Sequence, residues 1–226
     1  MSVYLSPSTQ DKNIGVGNYG TEEKRMNQII DIVEKILKDH NVKTYRNDPK
    51  MTLKEVVKDS NSKKCKIHFA CHSNAYNKVS RGCEVFAWKK GCQGEKYAYI
   101  LYKRISAITP TSDRGVKYGY NFYGTGKHMY EIANTTSDAV LIEIDFHDNT
   151  DSSKWIIDNI YKIGLEIAIG LLECLGIKYN FTNKKDYVTI LKEVSKYSDT
   201  WIKFIKANKE INLIGLIEKL YYIDPK

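Results

Sequence analysis

The sequence has few of the residues that mark disulfide-bonded, fibrous or disordered proteins. Only four of the 226 residues are proline, and the five cysteines include no Cys-x-x-Cys pair. Neither a disulfide framework nor a thiolate zinc site is therefore indicated. We expect the five cysteines to be core residues or free thiols: Cys65, Cys71, Cys83, Cys92 and Cys174.

Long apolar stretches are also missing. No run of apolar residues approaches the roughly 18 needed to span a bilayer, so we expect no membrane insertion. The N-terminus enters a strand-like segment at once, without the basic segment, apolar stretch and small-residue cleavage site of a secretory signal. We therefore expect synthesis in the cytoplasm without a signal peptide, unless a leader has been trimmed. Action outside the membrane would then need release through a pore or a separate export route.

The charge of the chain is strongly positive. With 35 Lys and Arg against 27 Asp and Glu, the formal net charge is +8. This balance favours polyanionic surroundings such as nucleic acid, a phosphate-bearing membrane or a teichoic-acid-rich wall, although a solvated surface is the commoner explanation. The basic residues are scattered in small groups, without an arginine-rich helix or a nucleic-acid motif. We therefore expect no nucleic-acid partner.

Short apolar runs alternate with amphipathic segments along most of the chain. The runs have the length and β-branched content of buried strands, and the segments repeat apolar residues at the three-and-four spacing of helices. This alternation predicts an α/β fold with a mixed twisted sheet of about six strands flanked by helices. The predicted strands include 3–5, 42–45, 66–72, 83–88 and 139–145, and the predicted helices are 21–40, 53–58, 93–108 and 151–175.

The C-terminal part of the sequence differs from the rest. A polar stretch at 176–185 is followed by two segments with apolar helical faces, 187–207 and 211–222. We predict one main α/β domain at 1–178 and a small helical appendage at 179–226. The appendage either attaches the protein to a surface, mediates dimerisation or covers the sheet.

Two residues in predicted strands carry the strongest chemical signal. His72 stands where an apolar strand runs out into a polar loop, which is where open α/β sheets place their sites. His68 lies on the same face but about 13 Å away at about 3.3 Å per residue, so we do not expect the two to share a metal. Glu143 is a carboxylate inside an apolar strand, which costs free energy unless it is paired, protonated or bound to a metal.

Glu23 becomes a candidate site residue only in combination with His72 and Glu143. Glu23 lies in the first turn of the first long helix, where a carboxylate alone indicates only a favourable interaction with the helix N-terminus. One histidine, one helix-start carboxylate and one strand carboxylate can together supply metal ligands and a general base for hydrolysis.

Three stretches resemble the zinc-dependent type 3 N-acetylmuramoyl-L-alanine amidases, over about residues 3–177. Residues 23–27 match the family pattern Glu-Lys-x-x-Asn, residues 71–75 match Ile-His-x-Asn-Ala, and residues 141–151 are similar to Leu-x-Glu-x-x-Phe-x-x-Asn. The resemblance implies a catalytic domain at 1–178 that binds Zn²⁺ and cleaves peptidoglycan between N-acetylmuramic acid and L-alanine. It further implies that the metal ligands include Glu23 and His72 and that the catalytic residue is Glu143.

One departure from the family concerns the first histidine ligand. The family pattern Asp-Pro-Gly-His-Gly corresponds to Ser-Pro-Ser-Thr-Gln at residues 6–10. An ungapped match replaces the histidine by Thr9, whereas the amide oxygen of Gln10 is the better donor, so we favour Gln10 as the third ligand. His128 and His147 are further candidates, although a residue placed like His147 is more often a polar surface group. A catalytically weakened wall-binding relative is the alternative function.

The resemblance also indicates substrate contacts and a biological setting. Arg114, in a stretch similar to the family's Arg-Gly-x-Lys, is a candidate for holding a stem-peptide carboxylate through two parallel hydrogen bonds. Asn74, within the His-x-Asn-Ala motif, is a second candidate. The expected partner is peptidoglycan, reached either as a phage endolysin or as a bacterial autolysin.

Overall fold

The computed structural model describes residues 1–111 and 114–180. The helices predicted at 187–207 and 211–222, and nearly all of the predicted appendage, lie outside the described residues. Met1–Tyr179 form one compact unit. No helix among the described residues is both long enough and apolar enough to cross a membrane.

Within the described residues, six strands form one mixed sheet, as the sequence predicted. The strand order is β2-β1-β3-β6-β4-β5. β1, β2, β3 and β6 run parallel to one another, whereas β4 is antiparallel to β6 and parallel to β5. The strands are β1 Ser2–Pro7, β2 Lys43–Arg46, β3 Ile67–Asn74, β4 Glu84–Ala87, β5 Val116–Tyr118 and β6 Asp138–Phe146.

The helices lie on both faces of this sheet. They are α1 Glu22–Asp39, α2 Leu53–Lys63, α3 Gln93–Ser106, α4 Tyr130–Asn134, α5 Thr150–Asp158 and α6 Ile160–Cys174. Thr21 caps α1 by accepting a hydrogen bond from the backbone N–H of Lys24, which satisfies one of the free donors of the first turn. The start and end of α1 agree with the sequence prediction.

One face of the sheet is covered by the large apolar helices. α1 and α3 both pack against α6, and every residue of α6 from Ile163 to Leu172 is buried. Gly164 allows the close approach of α1, because a Cβ there would lie 2.9 Å from the Cβ of Ile32 and 3.0 Å from the backbone oxygen of Ile29. This face is therefore a close-packed apolar layer.

The opposite face carries the polar side chains that matter for function. His68 and His72 alternate along β3 with Phe69 and Cys71, so the histidines point to the face that α2 and α4 cover. Apolar residues fill the part of this face away from the strand ends: Ala70, Phe86, Met129, Ile132, Ala139 and Leu141.

Two parts of the chain differ from the sequence prediction. The helix predicted at 151–175 is broken at Asn159, whose backbone is not helical and whose side-chain amide donates to the backbone oxygen of Trp155. The short elements β5 and α4 were not predicted, because three and five residues are too few to show a hydrophobic period. All five cysteines are free thiols, as expected.

Candidate active site

The carboxyl ends of three neighbouring parallel strands, β1, β3 and β6, meet at one edge of the sheet. In the register between β3 and β6, His72 lies beside Glu143. Side chains in register on neighbouring strands project from the same face. The two strongest candidates from the sequence are thus brought together at the edge where open α/β sheets bind their ligands.

The imidazole of His72 lies between two carboxylates. Its Nδ1 is 2.8 Å from Oε1 of Glu22, and its Nε2 is 3.6 Å from Oε2 of Glu131. Burial alone would lower the pKa of His72, but the interactions with Glu131 and Glu22 outweigh burial and raise the pKa well above its ordinary value. Both carboxylates therefore favour the charged form of the ring.

The helix-start carboxylate at the site is Glu22, one residue before the predicted Glu23. Glu22 is only 1% exposed and also accepts a 2.6 Å hydrogen bond from the amide of Asn13. Glu23 points elsewhere, because its carboxylate accepts from the amide of Asn27, four residues along the same helix. Consecutive helical residues are rotated by about 100°, so only one of the two carboxylates can face β3.

Glu143 is a partly exposed carboxyl group with one unsatisfied atom. Its Oε2 is buried and has no hydrogen-bond partner within the described residues. Burial, together with the negative charges of Glu22 and Glu84, outweighs the attraction of His72 and raises the pKa of Glu143 to about 8. Glu143 can therefore hold or release a proton near neutral pH.

Glu84, a fourth carboxylate, contacts both of the predicted substrate-binding residues. Glu84 lies beside Glu143 in the antiparallel register of β4 and β6. It accepts from the amide of Asn74 at 2.8 Å and from Nε of Arg114 at 3.0 Å, and it also pairs with Lys117. Asn74 and Arg114 therefore both lie next to the carboxyl ends of β1, β3 and β6, which form the candidate catalytic edge. Lys117 joins them as a second cation that the sequence reasoning did not select.

The loop that lacks the family histidine is held by its main chain. The backbone N–H of Ser8 donates to the backbone oxygen of Cys71, which keeps the loop beside β3. The side chain of Thr9 is partly buried and that of Gln10 is exposed. Within the described residues, no hydrogen bond or ion pair joins the side chain of Gln10 to His72.

Neither of the other two candidate histidines completes a ligand set. His147 is fully buried, so its interpretation as a polar surface group was wrong. Its two ring nitrogens contact Ser73 Oγ at 2.8 Å and Asn13 Oδ1 at 3.0 Å, which ties it to the support of Glu22. His128 stacks on Tyr120 in the loop after β5.

The charge of the site suits a cation, although the ligand set is short. Glu22, Glu131 and Glu143 surround the single imidazole of His72, and one oxygen of Glu143 is buried without a partner. The 2.8 Å contact between Glu22 and His72 is a hydrogen bond, so the two side chains would have to separate to about 3.3 Å to share a tetrahedral zinc ion. No group of three His, Cys, Asp or Glu side chains in the described part of the chain has a metal-binding arrangement. Two protein ligands therefore fit, and further donors would be other oxygens.

These groups, at the carboxyl edge of an α/β sheet, suit acid–base hydrolysis of a bound substrate. The profile of the N-acetylmuramoyl-L-alanine amidase family, Amidase_3, matches residues 3–173 and so contains the whole site. The chain belongs to this family of enzymes, which confirms the resemblance drawn from the sequence motifs. No curated protein sequence gives a significant match.

Several solved structures share the fold. The catalytic domain of CwlV, an N-acetylmuramoyl-L-alanine amidase from Bacillus (Paenibacillus) polymyxa, is 22% identical with a TM-score of 0.69, covering 78% of this chain and 99% of that domain. Cwp6 from Clostridium difficile is 24% identical with a TM-score of 0.67, covering 77% of this chain and 29% of its own. The catalytic domain of CD27L, an endolysin targeting C. difficile, is 17% identical with a TM-score of 0.63, covering 80% and 99%.

Proposed function

We propose that this chain hydrolyses the amide between N-acetylmuramic acid and L-alanine in peptidoglycan, with Glu143 as the general base. The observation that supports this most directly is the position of Glu143. It is partly exposed at the catalytic edge, it lies in register with His72, and one of its oxygens has no partner in the described part of the chain. A carboxyl group with such a raised pKa can accept a proton from water and return it later.

We propose Zn²⁺ as the cofactor, held by Glu22 and His72 and by an oxygen of the loop at residues 8–10. Bound zinc would lower the pKa of a water molecule towards neutrality and polarise the scissile carbonyl. Gln10 stays the predicted third ligand, and Thr9 is its competitor. The choice of Glu22 over Glu23 follows from the contact of Glu22 with His72.

The residues of the chain then have separate tasks in the reaction. Glu143 accepts the proton of the attacking water and delivers it to the departing L-alanine nitrogen. Arg114 and Lys117 place positive charge beside Glu84, where they are suited to bind a carboxylate of the stem peptide. Asn74 is held by Glu84 and is a second candidate for this contact.

A wall-binding relative without activity is the second candidate function. It is favoured by the loss of the family's first histidine, which leaves two protein ligands facing each other. Either function places the protein at the bacterial cell wall, as a lysin or as an autolysin, and the net charge of +8 suits an anionic wall.

The bond that is cut distinguishes the two functions. We would digest purified peptidoglycan and measure new L-alanine amino groups and new reducing sugar ends in parallel. The amidase proposal expects amino groups without reducing ends for the wild type, and neither product for Glu143→Gln. Binding to the wall without either product would establish the wall-binding relative.

The third ligand needs its own test. Zinc content and zinc affinity would be measured for the wild type, Gln10→Ala, Thr9→Ala and the remote control Glu34→Gln. Weaker zinc binding in Gln10→Ala alone would support Gln10, and weaker binding in Thr9→Ala alone would transfer the role to Thr9. Unchanged affinity in both would mean that water completes the coordination.

A further inference from the structure

The geometry points to a positioning role for a residue that no motif singled out. We infer that Glu131, anchored by His68 and Ser6, fixes the imidazole of His72 so that Nε2 keeps its hydrogen and Nδ1 faces Glu22. The inference deepens the proposed function, because it concerns how a metal ligand of that site is oriented.

Glu131 is a buried carboxylate on the five-residue helix α4. It is 5% exposed, and α4 packs against α2 and β6. A charged carboxylate at such a depth is stable only when donors surround it. Its Oε1 accepts from Ser6 Oγ at 2.5 Å and from Nε2 of His68 at 2.9 Å.

His68 is itself fixed in place and cannot turn away from Glu131. Its Nδ1 contacts Ser60 Oγ at 2.8 Å, and its ring stacks on Tyr4 with centroids 5.4 Å apart. Because Nε2 of His68 donates to Oε1 of Glu131, the second oxygen of the carboxylate is left for another donor. The two histidines of β3 are thus connected through a carboxylate, although they are too far apart to share a metal.

The second oxygen of Glu131 faces the site. Oε2 lies 3.6 Å from Nε2 of His72, a distance for electrostatic attraction that a small ring rotation would shorten to a hydrogen bond. A carboxylate at Nε2 favours a hydrogen on that nitrogen, so Nδ1 is the nitrogen that would give up its hydrogen to bind a metal. On the other side of the ring, Nδ1 faces Glu22 at 2.8 Å.

The orientation of His72 matters more in this chain because the chain has fewer metal ligands than the family pattern. Thr9 stands where the family has a histidine, so the remaining imidazole carries a larger share of metal binding. If the ring were turned so that Nδ1 faced away from Glu22, His72 and Glu22 could no longer share a metal. Carboxylates that orient a metal-binding histidine change metal affinity by about 10–100-fold when they are removed.

The test compares Glu131→Gln with the matched control Glu166→Gln, a second buried glutamate whose partner is Arg104. In metal-free protein labelled with ¹⁵N-histidine, we expect the Nε2–H resonance of His72 to move and to exchange faster with water in Glu131→Gln only. Zinc affinity, measured by competition with a chromophoric chelator, should fall about 10–100-fold in the same variant. The His72 signal would be assigned with His72→Gln.

Two further measurements keep the outcomes separate. Ser6→Ala removes one donor to Glu131 without changing its charge, so it should shift the same resonance less, and it replaces Glu131→Gln if that variant does not fold. An unchanged His72 resonance and unchanged zinc affinity in a folded Glu131→Gln would overturn the inference. Absence of zinc binding by the wild type would contradict the proposed cofactor, whereas the resonance of the metal-free protein would still test Glu131.

Discussion

Two groups of carboxylates in this protein differ in their counter-ions. Between α3 and α6, Arg104 binds both Glu166 and Glu173, at 3.3 and 2.8 Å. At the catalytic edge, Glu22, Glu131 and Glu143 share the imidazole of His72. The first group contains a permanent cation, whereas the second depends on a histidine, whose charge can be lost.

This difference separates a structural network from a functional one. Burial raises the pKa of Glu166, but the guanidinium of Arg104 opposes that shift. At the catalytic edge the neighbouring carboxylates add to the effect of burial and raise the pKa of Glu143 to about 8. Carboxylates placed close together without a permanent counter-ion are typical of sites that bind a metal or transfer a proton.

The largest expected effect comes from Glu143. Glu143→Gln should lower turnover by about 10²–10⁴-fold, because general acid–base catalysis contributes that much, while the fold is kept. Glu166→Gln should keep wild-type turnover, since it affects the network with its own cation. The measurement is the rate of L-alanine amino-group release from peptidoglycan. Equal losses in both variants would remove the distinction between the two networks.

Zinc binding at the catalytic edge should raise the free energy of unfolding of the protein. At a free zinc concentration of about 100 times the Kd, the unfolding free energy of the wild type should rise by about 2.7 kcal/mol. Thermal unfolding with and without zinc measures this effect. The increase should vanish in His72→Gln and persist in Glu166→Gln. An increase that survives in His72→Gln would place the metal elsewhere.

The stability of the metal-free protein should depend on pH through Glu143. Its pKa rises from about 4.5 to about 8 on folding, so its contribution is fully present below pH 4.5 and is lost as the pH rises through 8. Glu143→Gln should therefore gain stability relative to the wild type between pH 4.5 and 8, in a series of thermal melts.

A carboxylate with the opposite shift provides the control for that series. Lys38, Thr44 and Arg46 outweigh burial and lower the pKa of Glu34, so its contribution is present above pH 4.5 and is lost as the pH falls through the folded pKa. Glu34→Gln should therefore lose stability relative to the wild type as the pH rises. If the stabilities of Glu143→Gln and Glu34→Gln changed in the same direction with pH, relative to the wild type, this interpretation would be contradicted.

The smallest expected effect concerns substrate binding. Arg114→Lys keeps the positive charge beside Glu84 but loses the planar fork of the guanidinium. The KM for a soluble muramyl peptide should rise about fivefold with little change in kcat, which corresponds to one weakened hydrogen bond. Arg104→Lys, between α3 and α6, should leave KM unchanged. A fall in kcat without a change in KM would assign Arg114 to the chemical step.

The sequence allowed the core elements and two site residues to be predicted. β3 and β6 are continuous apolar runs and α1 has a long amphipathic period, so their positions agree with the predictions to within a few residues. His72 and Glu143 were found because each is a polar residue in an apolar strand. That they lie side by side follows from the parallel pairing of β3 with β6.

Other parts of the site depend on packing that no local pattern records. Glu22 and Glu23 are adjacent carboxylates at a helix start, and only the rotation of α1 against β3 decides which one faces His72. Glu131 lies on a helix too short to show a period, and its contact with His68 joins residues 63 positions apart. No local sequence signal singles out Glu131, because its burial arises only from tertiary packing.

The reversed direction of β4 places a partly exposed segment, residues 75–83, beside the site. Because β4 runs against β6, the segment at 75–83 leaves the catalytic edge after Asn74 and returns to it before Glu84, passing over the end of β6. Asp148 pins this segment through the backbone N–H groups of Tyr76 and Lys78. Both of its ends are anchored and its middle is exposed, so the sequence of the middle can vary without loss of these contacts. Substitutions in its middle would therefore alter the surface beside Asn74 and Glu84 while His72 and Glu143 stay in place.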